Sequence, residues 1–188
     1  MVLIKKYQNL ILITGILLIS LSIKLYLQNN PVWIFYAPVG FWLMFDYFSN
    51  SMGKKTFSGL LINKRYKKFI GLYLTLFIYG LIIEFIGMIV FNLWSYKLAG
   101  YNPSIMSCFY SAIDKPYMFL GSFTYPFILA HFRELYNLLE FRLKKSTYST
   151  ILAMIIGFII WEIPNLYSKD WVYEVNLLVV FFLDGQYL

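Results

Sequence analysis

Six apolar stretches, separated by short polar connections, organise the chain. A bilayer core about 30 Å thick asks for about 20 mostly apolar residues per helical crossing. Residues 10–27 meet that length and are interrupted only by Lys24, whose stem can follow apolar surface while its ammonium reaches the interface. Residues 32–48 form a second stretch, opened by Pro31 and Trp33 and carrying Asp46 near its far end. The clearest run is 69–91, whose only ionisable residue is Glu84. Further runs cover 116–132, with Pro116 at a helix start where its missing N–H is tolerated, and 150–163, closed by Pro164 and Asn165. A last run, 171–183, is short for a full crossing. The pattern predicts an all-helical transmembrane bundle of six spans, or five plus a short C-terminal segment, as one domain over residues 1–188.

The positions of the basic residues add a direction. Lys5 and Lys6 precede the first run; Lys54, Lys55, Lys64, Arg65, Lys67 and Lys68 lie between the second and third; Arg133, Arg142, Lys144 and Lys145 lie between the fourth and fifth. Only Lys24, Lys97, Lys115 and Lys169 fall on the opposite side. The positive-inside rule therefore predicts a cytoplasmic N-terminus in a cell-membrane protein. Trp33, Trp94, Trp171, Tyr96, Tyr167 and Tyr173 collect at the outer ends, as an interfacial aromatic belt requires. The first run is read as a retained helix and not a cleaved leader, because the bulky Leu25-Tyr26-Leu27-Gln28 offers no small-x-small cleavage site.

Composition agrees with this picture. The chain is 60% hydrophobic and 13% charged, against about 45–50% and about 25% for soluble domains. The net charge of +7 does not indicate nucleic acid, because the basic residues punctuate apolar runs and do not gather on one soluble face. One cysteine and one histidine exclude a disulfide framework and a multi-cysteine zinc site. No phosphate loop, nucleophile elbow or HExxH motif occurs, and no cofactor or metal is expected.

Candidate chemistry lies in the ionisable residues at membrane depth, which normally face the protein interior and have partners. Glu84 sits about 15 residues, roughly 22 Å, along its helix, with Gly80 and Gly87 on the same face. Glu162 has similar depth, beside the helix-breaking Pro164. These two are the candidate acid–base carboxylates. Asn92, Trp94, Tyr96, Asp114, Lys115 and Asn165 are expected to line an outward-facing substrate cavity around them. A rival constellation lies on the cytoplasmic side, where Asp46 meets His131 and Glu134, the latter two at i, i+3 on one helical face. Its expected form is a solvated interfacial histidine paired with Glu134, without metal. The basic loop 49–68, with Phe57, Leu60, Leu61 and Ile62, has the composition of a segment lying on an anionic leaflet.

The series Asp46, Gly53, Glu84, Trp94-x-Tyr96, Thr124-x-Pro126 and Glu162 resembles a loose group of small prokaryotic polytopic membrane proteins without assigned function. The carboxylate followed by a tryptophan–tyrosine pair is also similar, more faintly, to membrane-embedded carotenoid cyclases of the lycopene cyclase type. That resemblance implies carboxylates in a helical bundle that protonate a polyene. The cyclase-type proline–glutamate signature near a helix start is absent, and no catalytic residue is carried over. Three function classes follow: a small membrane enzyme acting on a lipid or isoprenoid through Glu84 and Glu162, a proton- or ion-coupled transporter, and a structural or assembly subunit. The expected partners are the bilayer, a lipid or isoprenoid ligand and anionic lipid at the 49–68 loop.

Overall fold

The computed structural model describes residues 2–30, 32–90, 94–96, 123–168 and 171–173. Its helices are α1 (Val2–Leu27), α2 (Trp33–Ser51), a short α3 (Phe57–Ile62), α4 (Tyr66–Glu84), α5 (Tyr125–Leu143) and α6 (Ser146–Ser168). The helix of α4 passes without a break into a π-helical turn, Phe85–Val90. Two three-residue strands, β1 (Trp94–Tyr96) and β2 (Trp171–Tyr173), pair antiparallel, with Trp94 opposite Tyr173 and Tyr96 opposite Trp171.

Among the described residues, three segments are long and apolar enough to cross a membrane: Tyr7–Leu27, Tyr66–Gly87 and Ser146–Leu166. Most of each segment is unburied, and side chains such as Leu10, Leu17, Ile78, Ile82, Met154 and Phe158 point outward. Water would penalise that surface, whereas hydrocarbon makes it unremarkable in energy, because a lipid tail is as apolar as leucine.

The structure corrects three boundaries drawn from the apolar runs. The fourth helix starts at Tyr125, not at Pro116, and continues to Leu143, well past the expected end at residue 132. Pro126 occupies its first turn, where no N–H is needed. The helix outlasts the apolar run because its later polar residues, His131 and Glu134, are buried against neighbours. Residues 116–122 lie outside the described residues. The last run, expected to be helical from 171, opens as the strand Trp171–Tyr173, and 174–183 are likewise outside the described residues. The expected helix over 69–91 changes to the wider π form directly after Glu84.

α2 and α5 form the centre. On one side, Trp33 and Ala37 of α2 pack with Trp161 of α6, with Tyr26, Phe41 and Phe132 around them. On the other, Trp42, Phe57 and Ala130 pack with Phe69, Leu72 and Tyr73 of α4 and with Phe127. The two clusters place α6 and α4 on different flanks of the α2–α5 pair.

Glycine sets how closely these helices approach. A Cβ on Gly15 would lie 3.1 Å from the Gly40 carbonyl oxygen and 3.1 Å from the Met44 nitrogen, so α1 and α2 are nearly backbone to backbone. Tyr125 of α5 covers Gly80 of α4, where an added Cβ would meet its Cβ at 2.6 Å. The Phe132 ring of α5 fills the space over Gly157 of α6. Small residues at such crossings let dispersion contacts between helices replace the hydrophobic drive that is weak in lipid. Ser22 adds a buried hydrogen bond from its hydroxyl to the Trp33 carbonyl at 3.0 Å.

Gly157→Leu forces the Phe132 ring out of its seat and is expected to lower stability by about 1–3 kcal/mol, the usual cost of overpacking. Gly71→Leu is the control, since an added Cβ there meets nothing within 4 Å. Thermal unfolding of the two variants in detergent checks the difference.

Candidate functional site

The densest buried chemistry lies where α2, α3, α5 and α6 meet. Asp46, Ser49, Ser58, His131 and Glu134 are all buried there. Each is placed by a local feature of the sequence. Asp46 sits one helical turn beyond Trp42 on α2. Thr56, in extended conformation, caps α3 by accepting the Gly59 N–H at 3.1 Å. That leaves the Ser58 N–H, one of the orphan donors of a helix start, free to be met from outside the helix. Asp46 supplies the acceptor: its Oδ1 takes the Ser58 N–H at 2.9 Å, and its Oδ2 accepts a short hydrogen bond from the Ser58 hydroxyl. Trp42 directs its indole N–H toward the same carboxyl without reaching a hydrogen bond of normal geometry.

Ser49, one turn further along α2, donates from its hydroxyl to the Glu134 backbone carbonyl at 2.9 Å. The Glu134 side chain is wholly buried. Its Oε2 accepts from the Asn137 amide at 3.1 Å, while Oε1 has no hydrogen-bond partner. The guanidinium of Arg133 stays 3.9 Å from Oε1, on the exposed side. Burial, reinforced by the negative charge of Asp46, raises the Glu134 carboxyl from 4.5 to about 7; Asn137, Arg133 and Ser49 oppose the rise.

His131 is wholly buried and accepts the Trp161 indole N–H on Nε2 at 3.3 Å. An indole nitrogen only donates, so Nε2 carries no proton, and the imidazole is neutral with its proton on Nδ1. Nδ1 has no partner of standard geometry, and the Phe127 backbone is the polar group beside it. The ring stacks on Phe132 at 4.4 Å and on Phe45 at 6.2 Å. The expected solvated histidine paired with Glu134 is therefore incorrect: His131 bonds Trp161, Glu134 bonds Asn137, and both are sealed from water. No group of three or more His, Cys, Asp or Glu side chains suited to a metal ion occurs among the described residues.

At the exposed edge of this region Lys54 pairs with Glu140 at 2.9 Å, and the Tyr136 hydroxyl donates to the other Glu140 oxygen at 3.1 Å. These bonds hold the Glu140 carboxyl below its ordinary range. Phe57, expected on the leaflet within the 49–68 loop, instead lies wholly inside the core, stacked on Phe69 at 4.5 Å.

The residues first singled out are distributed differently. Glu84 ends α4 and Glu162 lies on α6; both are half-buried and both have interaction partners. Asn165 is buried one turn past Glu162, and the Pro164 carbonyl between them accepts the Tyr26 hydroxyl at 3.2 Å. Their helices rest against different clusters, yet the β1–β2 pairing joins the segment that follows Glu84 to the one that follows Glu162. It brings Trp94 and Tyr96 into that ladder by their backbones. Asn92, Asp114 and Lys115 lie outside the described residues. Sequence reasoning missed Ser58, Thr56 and Asn137, and the bond between Trp161 and His131. The Thr56-x-x-Gly59 cap was visible as a helix-start signal, and Asn137 lies three residues beyond Glu134 on the same helical face, whereas the partnerships of Ser58 with Asp46 and of Trp161 with His131 depend on tertiary contact.

Compared with protein-family models, curated proteins and solved structures, the chain shows no significant match.

A carboxyl raised on folding contributes stability that is complete below its unfolded value and is lost as pH rises through its folded value. For Glu134 that window runs from 4.5 to about 7. Folded-state stability is expected to fall across it by up to about 3 kcal/mol. Glu134→Gln should flatten the slope, read by thermal unfolding in detergent at a series of pH values.

Proposed function

We propose that the protein is a multi-pass cell-membrane protein, of six spans or five plus a short terminal segment with its N-terminus in the cytoplasm, whose activity depends on one proton held by the Asp46–Glu134 pair. The observation that carries this reading is a pair of wholly buried carboxyl groups on neighbouring helices, one of them with an oxygen that accepts no hydrogen bond and has only the distant Arg133 guanidinium at 3.9 Å. Two such acids so near each other do not both ionise in dry protein, and their protons come off in separate steps. Asp46 accepts two hydrogen bonds from Ser58 and is the better placed of the two for the charged role, whereas Glu134 accepts one, from Asn137, and suits the protonated one. Because the pair is sealed from water, it fits proton uptake better than contact with a bulky substrate. This is the chemistry of a proton-coupled transport component.

A second reading has its own support. A small membrane enzyme acting on a lipid or isoprenoid would use Glu84 and Glu162 as acid and base, with Asn92, Trp94, Tyr96, Asp114, Lys115 and Asn165 around the substrate. The π-helical turn directly after Glu84 favours it, since such turns occur frequently at functional sites. So does the strand pairing that links the segments beyond the two carboxylates.

One panel of variants separates the readings. Infrared titration of the protonated-carboxyl band is expected to show one group titrating near neutral pH in the wild type. That group should vanish in Glu134→Gln and persist in Glu84→Gln and Glu162→Gln. A wild type without such a group, or a band untouched by Glu134→Gln, overturns the proton reading. Mass spectrometry of small molecules co-purifying with the same proteins tests the enzyme. A discrete lipid or isoprenoid changed in amount or chemical form by Glu84→Gln and Glu162→Gln, and unchanged by Glu134→Gln, supports it; bulk lipid alone in every sample rejects it.

A further inference from the structure

The turn between α5 and α6 combines a basic rim with an apolar groove. α5 ends at Leu143, Lys144 adopts the left-handed conformation at φ 53°, and its N–H bonds the Glu140 carbonyl at 2.8 Å. Lys145 follows, and α6 begins at Ser146. Arg142, Lys144 and Lys145 are all exposed. Immediately beside them a shallow open groove of about 530 Å³ runs between Leu143 and the first turns of α6, lined by Lys145, Tyr148, Ile151, Leu152 and Ile155. The Lys145 ammonium stands 5.3 Å over the Tyr148 ring. A cation held over an aromatic face at that distance is restrained in position. It marks the polar end of a groove whose walls are otherwise hydrocarbon.

We propose that this groove binds one anionic phospholipid of the surrounding bilayer, its phosphate at Lys145 and one acyl chain along Leu143, Ile151, Leu152 and Ile155. The proposal rests on the membrane reading given above, and on no part of the proton chemistry. Three observations select this occupant. The groove walls belong to the apolar segment Ser146–Leu166, so the groove opens where that segment leaves hydrocarbon for its basic flank. Among the described residues its charge is uncompensated: Glu140, the carboxylate nearest in sequence, already takes the Lys54 ammonium and the Tyr136 hydroxyl. An occupant must therefore be anionic at one end and apolar along the other. A second copy of the chain meets neither demand, since a symmetric contact would oppose two basic rims. A neutral lipid would fill the groove and leave the lysine without a counter-ion.

This site differs from the 49–68 loop, whose Lys54 is engaged with Glu140 and whose Phe57 is inside the core. The two are distinguished by native mass spectrometry of the intact protein in mild detergent, titrated with phosphatidylglycerol and with phosphatidylcholine of identical acyl chains. The wild type is expected to retain a first phosphatidylglycerol molecule in about five-fold preference to phosphatidylcholine, the factor one basic residue brings at a membrane surface. Lys145→Gln should abolish the preference. Leu152→Trp, which fills the groove, should weaken retention of both lipids. Combined Lys64→Gln and Lys67→Gln in the loop should change nothing. Lys145→Gln is an exposed substitution that leaves the fold intact, and Tyr148→Leu, which removes the ring beneath the ammonium, serves as the second variant. An unchanged preference in both Lys145→Gln and Tyr148→Leu overturns the proposal, as does a preference lost only in the loop variant. Glu134→Gln is expected to bind both lipids like the wild type, so failure of the proton reading leaves this result standing.

Discussion

The Asp46 carboxylate, held by the backbone and side chain of Ser58, is the interaction on which the rest of the structure depends. It is a wholly buried charge-bearing group, and such a group is stable in a protein interior only when its lone pairs are met by well-placed donors. Meeting that demand fixes the start of α3 against α2. α3 in turn carries Phe57 into the core between Trp42 and Phe69, which seats α4. Ser49 extends the same polar seam to the Glu134 carbonyl and so fixes α5. One helix-start amide and the hydroxyls of Ser58 and Ser49 thus register four helices, while the glycine crossings at Gly15–Gly40, Gly80–Tyr125 and Phe132–Gly157 set how closely they pack.

The seam also explains why the titratable groups concentrate where they do. Directional hydrogen bonds select one arrangement among the many that apolar packing alone would tolerate, and in a lipid-like environment packing discriminates weakly. Placing Glu134 behind Ser49 leaves one of its oxygens without a donor, and placing His131 against Trp161 leaves it neutral. A junction built for register then contains a carboxyl that holds its proton near neutral pH. In the proposed function that proton is what the protein exchanges. The same α2–α5 junction would sense it, because protonation changes the charge beside Asp46.

Much of the fold was legible in the sequence, and the illegible parts have definite causes. α1, α4 and α6 were visible as long apolar runs because each makes most of its surface from residues that face outward. α5 was legible only in its first half, since a run-length criterion stops at the first charge, while the helix continues wherever its polar residues find buried partners. His131 and Glu134 were correctly placed on one face but assigned to solvent. Nothing local records that Trp161, 30 residues away, would bond His131, or that burial would leave Glu134 with the nearby Asn137 amide on one oxygen only. The β1–β2 pairing joins segments separated by nearly half the chain, and neither strand is long enough to announce itself by alternation. Glu84 and Glu162 stood out because they interrupt long apolar runs, whereas Asp46, near the end of its run, entered only the rival cytoplasmic constellation with His131 and Glu134.

The most direct test is a double-mutant cycle on Asp46→Ala and Ser58→Ala, each measured by reversible unfolding in mixed micelles. If the buried carboxylate and the Ser58 hydroxyl together register the bundle, the single changes are strongly non-additive, with a coupling of about 1–3 kcal/mol. Additive effects, or single variants as stable as the wild type, would contradict the account and leave the glycine crossings to order the helices by themselves.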